Sequence, residues 1–450
     1  MEKKIFERPY IKKIRAGMPS KFGKPVKIDP LPFIDDLPVE ELIKQYGSPL
    51  FVISEKTIRE TFRKAKMAFE TRYPRVQFAW SYKTNYLDAV CRIFHQEDAW
   101  AEVVSGFEYE KAEKNGVAGN KIIFNGPDKS LSDLKKASEN DSLIHIDHFD
   151  ELYDLIEVAK KMDHKPRVAI RVNMDTGVYP IWDRFGFNYE NGDAWDAINR
   201  IVRSEKLELS GLHCHIGTYM LSTEAYRRAA SKLGELAVRA FHRHNTLIKY
   251  IDIGGGFATQ NTLKGAYYQG YDTAPSFDEY AESITSALLD VNFPDNKLPL
   301  LILETGRALI DDAGFLLGTV LANKRLSGGN RATILDVGVN NLFTSFWYDH
   351  EVNPVKDTSD HFEESTFFGP LCMNIDVIRD AISFPLLRKG DQFVIKRIGA
   401  YNMTQWMQFI TYRPNVVLID INGSTHVIRK MEDLNAVTAG ESVPDHLQKI

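Results

Sequence analysis

Lys83 stands in the stretch "FAWSYKTNYLDAV", where an apolar run ends and an amphipathic one begins. A lysine there is ordinarily a solvated charge, but lysine is also the side chain that can bond covalently to a carbonyl carbon. Other chemically useful residue types recur in similar places. "DIGGGF" puts Gly254, Gly255 and Gly256 after an apolar run. Backbone N–H groups could approach an anion closely there, although a tight strand-to-helix turn would use the same glycines. Arg307 in "ETGR", with Gly306 beside it, and Thr218 in "HIGT" add a cation and a hydroxyl. "HCH" places His213 and His215 on one face of a strand, because the side-chain period is two. That pair suits a metal, core packing, or a ring stacked on a planar cofactor. No Asp/Glu/His set at the other strand ends completes three or four metal ligands, so no metal is expected. Glu304 fits a general base or a surface carboxylate, and Tyr401 in "GAY" and Cys372 in "GPLC" stand in loops. A lone cysteine is most often an inert core residue.

A lysine, a phosphate cradle, a flat ring partner and a carboxylate for a heterocyclic nitrogen are together what pyridoxal phosphate requires. Something must bring them to one place. Ser54 can cap a helix that carries Ile58, Phe62, Ala65 and Phe69 on one face and ends before Pro74. Short apolar runs then recur at 76–82, 100–104, 121–124, 143–146, 167–172, 207–216, 248–253 and 298–303, separated by segments long enough for crossover helices. Eight such units predict a closed (β/α)₈ barrel, whose chemistry sits at the C-terminal ends of the strands. Those ends read Lys83, Ser105, Asn125 with Gly126, Asp147, Asn173, His215 with Thr218, Gly254 to Gly256, and Glu304 with Arg307. Nearly all are polar or glycine, so they describe a rim.

The barrel is expected over 51–307. From 308 to 450 the helical alternation stops, and "FLLGTVLANKR", "RATILDVG", "GDQFVIKRIG" and "VVLIDINGSTHVI" predict a β-rich second domain with a hairpin at Asn422-Gly423. Residues 1–50 hold the short helix "VEELIKQYG" and are expected to pack on that domain. They begin with a basic stretch, residues 1–24, expected to lie on the surface or on a partner subunit.

Net charge −5, with 44% hydrophobic and 26% charged residues, describes an ordinary globular chain and argues against nucleic-acid and membrane-surface roles. No apolar run approaches the roughly 18 residues of a membrane span, and the basic N-terminus lacks the apolar core of a secretory signal. Three cysteines, Cys91, Cys214 and Cys372, make no disulfide framework. The expected location is the cytoplasm.

The ordered series "SYKTN", "VVSGFE", "FNGPDKS", "DRFGF", "GLHCHIGT", "DIGGGF", "ETGR", "GPLC" and "GAY" resembles the fold-type III pyridoxal-phosphate decarboxylases, which include diaminopimelate decarboxylase and its ornithine and arginine relatives. The resemblance runs from about residue 40 to 420. It implies an alanine-racemase-type TIM barrel plus a C-terminal β-sandwich or β-barrel domain, in a homodimer with shared sites. It also implies that Lys83 holds the cofactor, His215 stacks on its ring and Glu304 pairs with the ring nitrogen. Gly254, Gly255, Gly256, Thr218, Gly306, Arg307 and Tyr401 would surround the phosphate. Cys372 would reach into the partner's site to protonate the product carbon. Arg307, Tyr348, Asp349, Met373, Asp376 and Tyr401 would meet the amino-acid substrate.

The chain departs from that family where the substrate's far end would lie. Met373 in "CMN" replaces the glutamate of "CES", and Thr344 stands where an arginine is usual. Ornithine decarboxylases have an aspartate at the Met373 position, also absent here, although Tyr348-Asp349-His350 is kept. Thr305 for the proline of "EPGR" leaves Glu304 and Arg307 in place. A charged distal group against Met and Thr would lie unpaired at a cost of several kcal/mol. The resemblance with these departures implies decarboxylation of an α-amino acid whose far end is neutral or acylated, such as a modified biosynthetic intermediate. The alternatives are a genuine meso-diaminopimelate decarboxylase, a catalytically silent binding protein, or a racemase on the same barrel.

Overall fold

A computed structural model describes residues 28–266, 270–358 and 361–448. The basic stretch read at residues 1–24 lies outside them. Parallel strands Val76–Ser81, Trp100–Val103, Ile122–Phe124, Leu143–Ile146, Arg167–Asn173, Glu208–His213, Tyr250–Asp252 and Leu300–Leu303 pair in chain order. The last pairs with the first, Leu301 beside Val76 and Leu303 beside Phe78, so the barrel closes. A two-residue strand, Phe187–Asn188, pairs onto the end of Arg167–Asn173.

Side-chain parity sorts each strand into an outer face against the helices and an inner face. Phe78, Trp80, Ala101, Val103 and Leu212 join the large cluster under the helices. Ala79, Ile123, Leu143, Ala169, Tyr250 and Ile302 form a separate cluster that fills the barrel interior. Gly211 makes room there, since a Cβ at this position would lie 2.2 Å from the Tyr250 ring.

The second sheet is built around the long strand Gly314–Arg325. It pairs antiparallel with Leu50–Ser54, Gln392–Lys396 and Arg331–Leu335. Val416–Ile419 adds to Leu50–Ser54 in parallel and closes a hairpin with Thr425–Arg429. The boundary read at residue 51 is therefore corrected. Leu50–Ser54 belongs to the second sheet, and the barrel begins at helix Glu55–Glu70, whose Thr57 amide donates to Ser54 Oγ at 3.0 Å. The helix Val39–Tyr46 buries Val39, Leu42 and Ile43 against Val52, Val355, Val394 and Val417 of that sheet.

Strands Val352–Pro354, Phe362–Phe368 and Val377–Pro385 did not show in the sequence. The latter two pair with each other as a half-exposed outer ribbon. With neither face fully buried, no clean apolar alternation marks them. No helix among the described residues is long and apolar enough to cross a membrane.

Phe51 is fully buried in the strand that ties the N-terminal segment to the second sheet, and its ring meets Trp406 edge-on at 5.9 Å. Phe51→Ala is expected to lower stability by about 3–5 kcal/mol, measured as a shift of the urea midpoint of the second domain.

Candidate active site

Above the apolar filling, the next inward position on every barrel strand is polar: Ser81, Glu102, Asn125, His145, Arg171, His213, Asp252 and Glu304. Most of this ring is buried, and several of its members bond to one another, although both His213 nitrogens and Asp252 Oδ2 have no hydrogen-bond partner. Asn125 Nδ2 donates to Glu304 Oε1 at 2.5 Å and Glu102 Oε1 at 3.1 Å, and Ser81 Oγ donates to Glu102. His213 Nε2 lies 3.4 Å from Glu304 Oε2, and the His145 ring packs 4.7 Å from His213. Arg171 approaches Asp147 at 3.6 Å and stacks on Phe185 at 4.4 Å. Lys129 of "FNGPDKS" is buried beside the ring. It donates to the carbonyls of Gly126 (2.7 Å) and His145 (3.0 Å) and to Glu151 (2.6 Å), clamping two strand ends.

A cavity opens over this layer, lined by Ser81, Lys83, His215, Thr218, Gly256, Glu304, Gly306, Arg307 and Tyr401. Eight of those nine were picked out in the sequence; Ser81 was not. Gly254 and Gly255 sit behind the wall, too close to their neighbours for any side chain. A Cβ on Gly254 would lie 2.5 Å from the Cys214 carbonyl, and one on Gly255 would lie 2.5 Å from that of Glu304. On Gly306 it would meet Thr84 Oγ1 at 2.1 Å. The glycines thus bring backbone and cavity together, beyond forming a turn.

Lys83 Nζ donates to Glu102 Oε1 at 2.7 Å and Oε2 at 2.5 Å. Burial alone would push the ammonium down, but Glu102, Tyr401 and Glu304 hold it above its ordinary range. The Gly255 amide donates to His215 Nδ1 at 3.1 Å, which fixes the ring plane. Burial, with Arg171 and Lys83 nearby, holds His215 well below the usual range and so neutral. Burial beside Glu304 pushes Asp252 up, so Asp252 keeps its proton next to a carboxylate. Arg307 lies 4.6 Å from the Tyr401 ring, 5.2 Å from Tyr348 and 5.7 Å from Trp347.

Sequence reading missed Glu102, His145, Arg171 and Asp252. Each is a lone polar residue at the inward parity of an apolar run, and that parity was the available signal. His145 also corrects the expectation that no third ligand joins the histidines: His145, His213 and Glu304 offer ligand atoms within 4.8 Å of one another. Arg171 and Lys83, which help hold His213 neutral, are costly neighbours for a further cation.

The substrate residues divide. Tyr348 is buried beside Arg307, and Asp349 lies 3.8 Å from Arg379. Cys372 is exposed and does not line this chain's cavity, while Met373 packs partly buried on the core. Asp376 is corrected: it is buried, and its oxygens accept the amides of Val339 (2.8 Å) and Leu371 (2.7 Å). It shapes the Cys372 loop and has no free face for a substrate. Thr344 is a core hydroxyl bonded to Asn402 Oδ1 at 2.9 Å and to His350 Nε2 at 2.8 Å.

The cavity fits pyridoxal phosphate. Arg307 Nη1 is buried without a hydrogen-bond partner beside glycines that would expose backbone amides, as an anion site requires. Lys83, the His215 ring and Glu304 stand along the same cavity.

The family described as pyridoxal-dependent decarboxylase, pyridoxal binding domain, matches residues 55–311. Diaminopimelate decarboxylase from Aquifex aeolicus is 28% identical over 416 residues, covering 90% of this chain and 94% of the relative. That from Bacillus subtilis is 28% identical, covering 87% and 90%. The solved structure of diaminopimelate decarboxylase from Methanocaldococcus jannaschii in complex with L-lysine superposes with a TM-score of 0.84 at 27% identity, covering 92% and 96%.

Glu108 accepts the Val104 amide at 2.9 Å. Burial pushes its carboxyl up to about 7, with Lys83 opposing and Glu102 adding. A raised folded-state value contributes stability at low pH that is lost as pH rises through it. Glu108 should therefore contribute stability to the cofactor-free protein at about pH 4.5 that is gone by about pH 7.5, and the difference between wild type and Glu108→Gln should shrink by up to about 3 kcal/mol across that window, followed by urea unfolding across pH.

Proposed function

The chain belongs to the pyridoxal-dependent decarboxylases, carboxy-lyases that use pyridoxal phosphate, and on that premise we propose that it removes the α-carboxyl group of an amino acid of the diaminopimelate type. One observation carries the reading: Lys83, His215, Glu304 and Arg307, with its unpartnered Nη1, line one cavity. The cofactor supplies the electron sink for the bond that breaks. In the proposal, Lys83 holds it, with Glu102 placed to take the lysine's protons. Glu304, which accepts from Asn125 and lies beside the protonated Asp252, would pair with the ring nitrogen. The neutral His215 supports the ring face, and Arg307, Thr218, Gly256 and Tyr401 take the phosphate. The enzyme works in the cytoplasm as a homodimer, with Cys372 delivering a proton to the partner's site.

The diaminopimelate substrate rests on what the relatives are named. A second reading, a neutral or acylated far end, is favoured by Thr344, since its hydroxyl is spent on core partners and offers no charge. Exchange of Thr344 for arginine would bury a guanidinium between His350 and Asn402, so it is no simple restoration. A carbon dioxide release panel covering diaminopimelate, lysine, ornithine, arginine and acylated amino acids separates the two. Turnover of diaminopimelate at about 10⁴ M⁻¹s⁻¹ or more supports the first; preference for an acylated amino acid supports the second. The wild type should absorb in the visible and Lys83→Ala should not. A protein that stays colourless with added cofactor sinks both.

The shared site has its own check. Inactive Lys83→Ala and Cys372→Ala proteins, mixed and allowed to exchange subunits, should regain activity, because one composite site then holds both native residues. Verified exchange without recovery would confine Cys372 to its own chain.

A further inference from the structure

Tyr401 reaches the cavity from the second domain, while every other lining residue comes from the barrel side. Its backbone is left-handed, φ 64°, a conformation a tyrosine adopts only when its surroundings impose it. Two hydrogen bonds impose it. The Tyr401 amide donates to the Thr84 carbonyl at 2.8 Å, one residue from Lys83, and the Ala400 amide donates to Asp311 Oδ1 at 3.1 Å.

Asp311 is 2% exposed and lies four residues after Arg307, at the C-terminal cap of the short helix Arg307–Ile310. Its other oxygen accepts from Thr259 Oγ1 at 3.0 Å and from Asn261 Nδ2 at 3.2 Å. Thr259 and Asn261 lie three and five residues after the last glycine of the run, and Asn261 Nδ2 also donates to the Arg397 carbonyl at 2.9 Å. The Gly399 amide closes on the Asp311 carbonyl at 3.4 Å, where a Cβ on Gly399 would lie 2.0 Å from the Ile310 carbonyl. One buried carboxyl group thus joins the three segments that carry the glycine cradle, Arg307 and Tyr401. Its three donors offset the cost of burying it, and they come from the segments that meet at this end of the cavity.

We propose that Asp311 is a positioning residue for the phosphate end of the cavity, clasping the second domain's Tyr401 loop onto the barrel so that Tyr401, Arg307 and the glycine loop close on one phosphate group. The inference rests on the reading of this end as the phosphate site. A role in general stability would weaken every ligand alike. A clasp at the phosphate end weakens only ligands that carry a phosphate.

Full-length wild type and Asp311→Ala, stripped of cofactor, are titrated with pyridoxal phosphate and with pyridoxal, following the visible band. Asp311→Ala should weaken pyridoxal phosphate by about tenfold or more, with pyridoxal changed by less than about twofold. If that variant does not fold, Asp311→Asn reads the same ratio: it keeps the volume and an acceptor for Ala400, but turns an N–H₂ toward Thr259 and Asn261. Equal losses for both compounds, or no loss for either, would overturn the clasp. A wild type that binds pyridoxal and pyridoxal phosphate equally fails the phosphate reading itself, and shows this without any variant.

Discussion

Eight polar side chains share one layer deep inside the barrel, and the rest of the site is arranged around that fact. Charges buried so deeply must be paired or neutralised. The chain does both. Glu102 takes Lys83, Asn125 bridges Glu102 to Glu304, Asp252 keeps its proton, and the three histidines His145, His213 and His215 stay neutral. The outcome is that Glu304 is held in fixed geometry by neutral neighbours, while Glu102 is taken up by Lys83. A pyridinium nitrogen needs such a partner. It could not be supplied by an isolated glutamate at a strand end, which would take up a proton or move to water.

The cavity also depends on two domains meeting. Barrel strands deliver the ring, the lysine and the glycine loop, but the wall over Arg307 comes from Trp347, Tyr348 and Tyr401. Three aromatic faces around a guanidinium stabilise its charge while leaving its in-plane N–H groups to face an anion. The join is made covalently and by packing. Leu50–Ser54 lies in the second sheet and runs straight into the barrel's first helix, and Gly314–Arg325 leaves the barrel as the centre of that sheet. Neither domain can shift far without disturbing the other's strand.

At the substrate's far end the relatives and this chain's own residues differ. Relatives of similar length and shared fold are diaminopimelate decarboxylases, whereas Thr344 and Met373 carry no charge and Thr344 is part of the core. Core residues change together, because exchanging a buried hydroxyl that bonds His350 and Asn402 for a long cation removes both of those bonds and buries a charge between them. Thr344 is therefore part of the core of the second domain, with Tyr348 and Trp347 packed nearby against Arg307.

Much of this was present in the sequence. Apolar runs at crossover spacing determined a closed barrel, because eight strands with helices between them have few other ways to bury both faces. Position at the strand ends then marked Lys83, Thr218, Glu304 and Arg307, because local order along the chain sets which residues reach the rim. What lay beneath the rim was decided only by folding. Glu102, His145, Arg171 and Asp252 look like imperfections in hydrophobic runs until inward parity stacks them in one layer. Asp376 read as a substrate group, but tertiary contacts turned it into a loop anchor by bringing the amides of Val339 and Leu371 to it. Asp311 carried no signal at all, since Thr259, Asn261 and Ala400 come from segments up to 89 residues away. Sequence periodicity records which face a residue takes; it does not record what it will meet there, because hydrogen-bond partners across a barrel are set by the closure of the whole sheet.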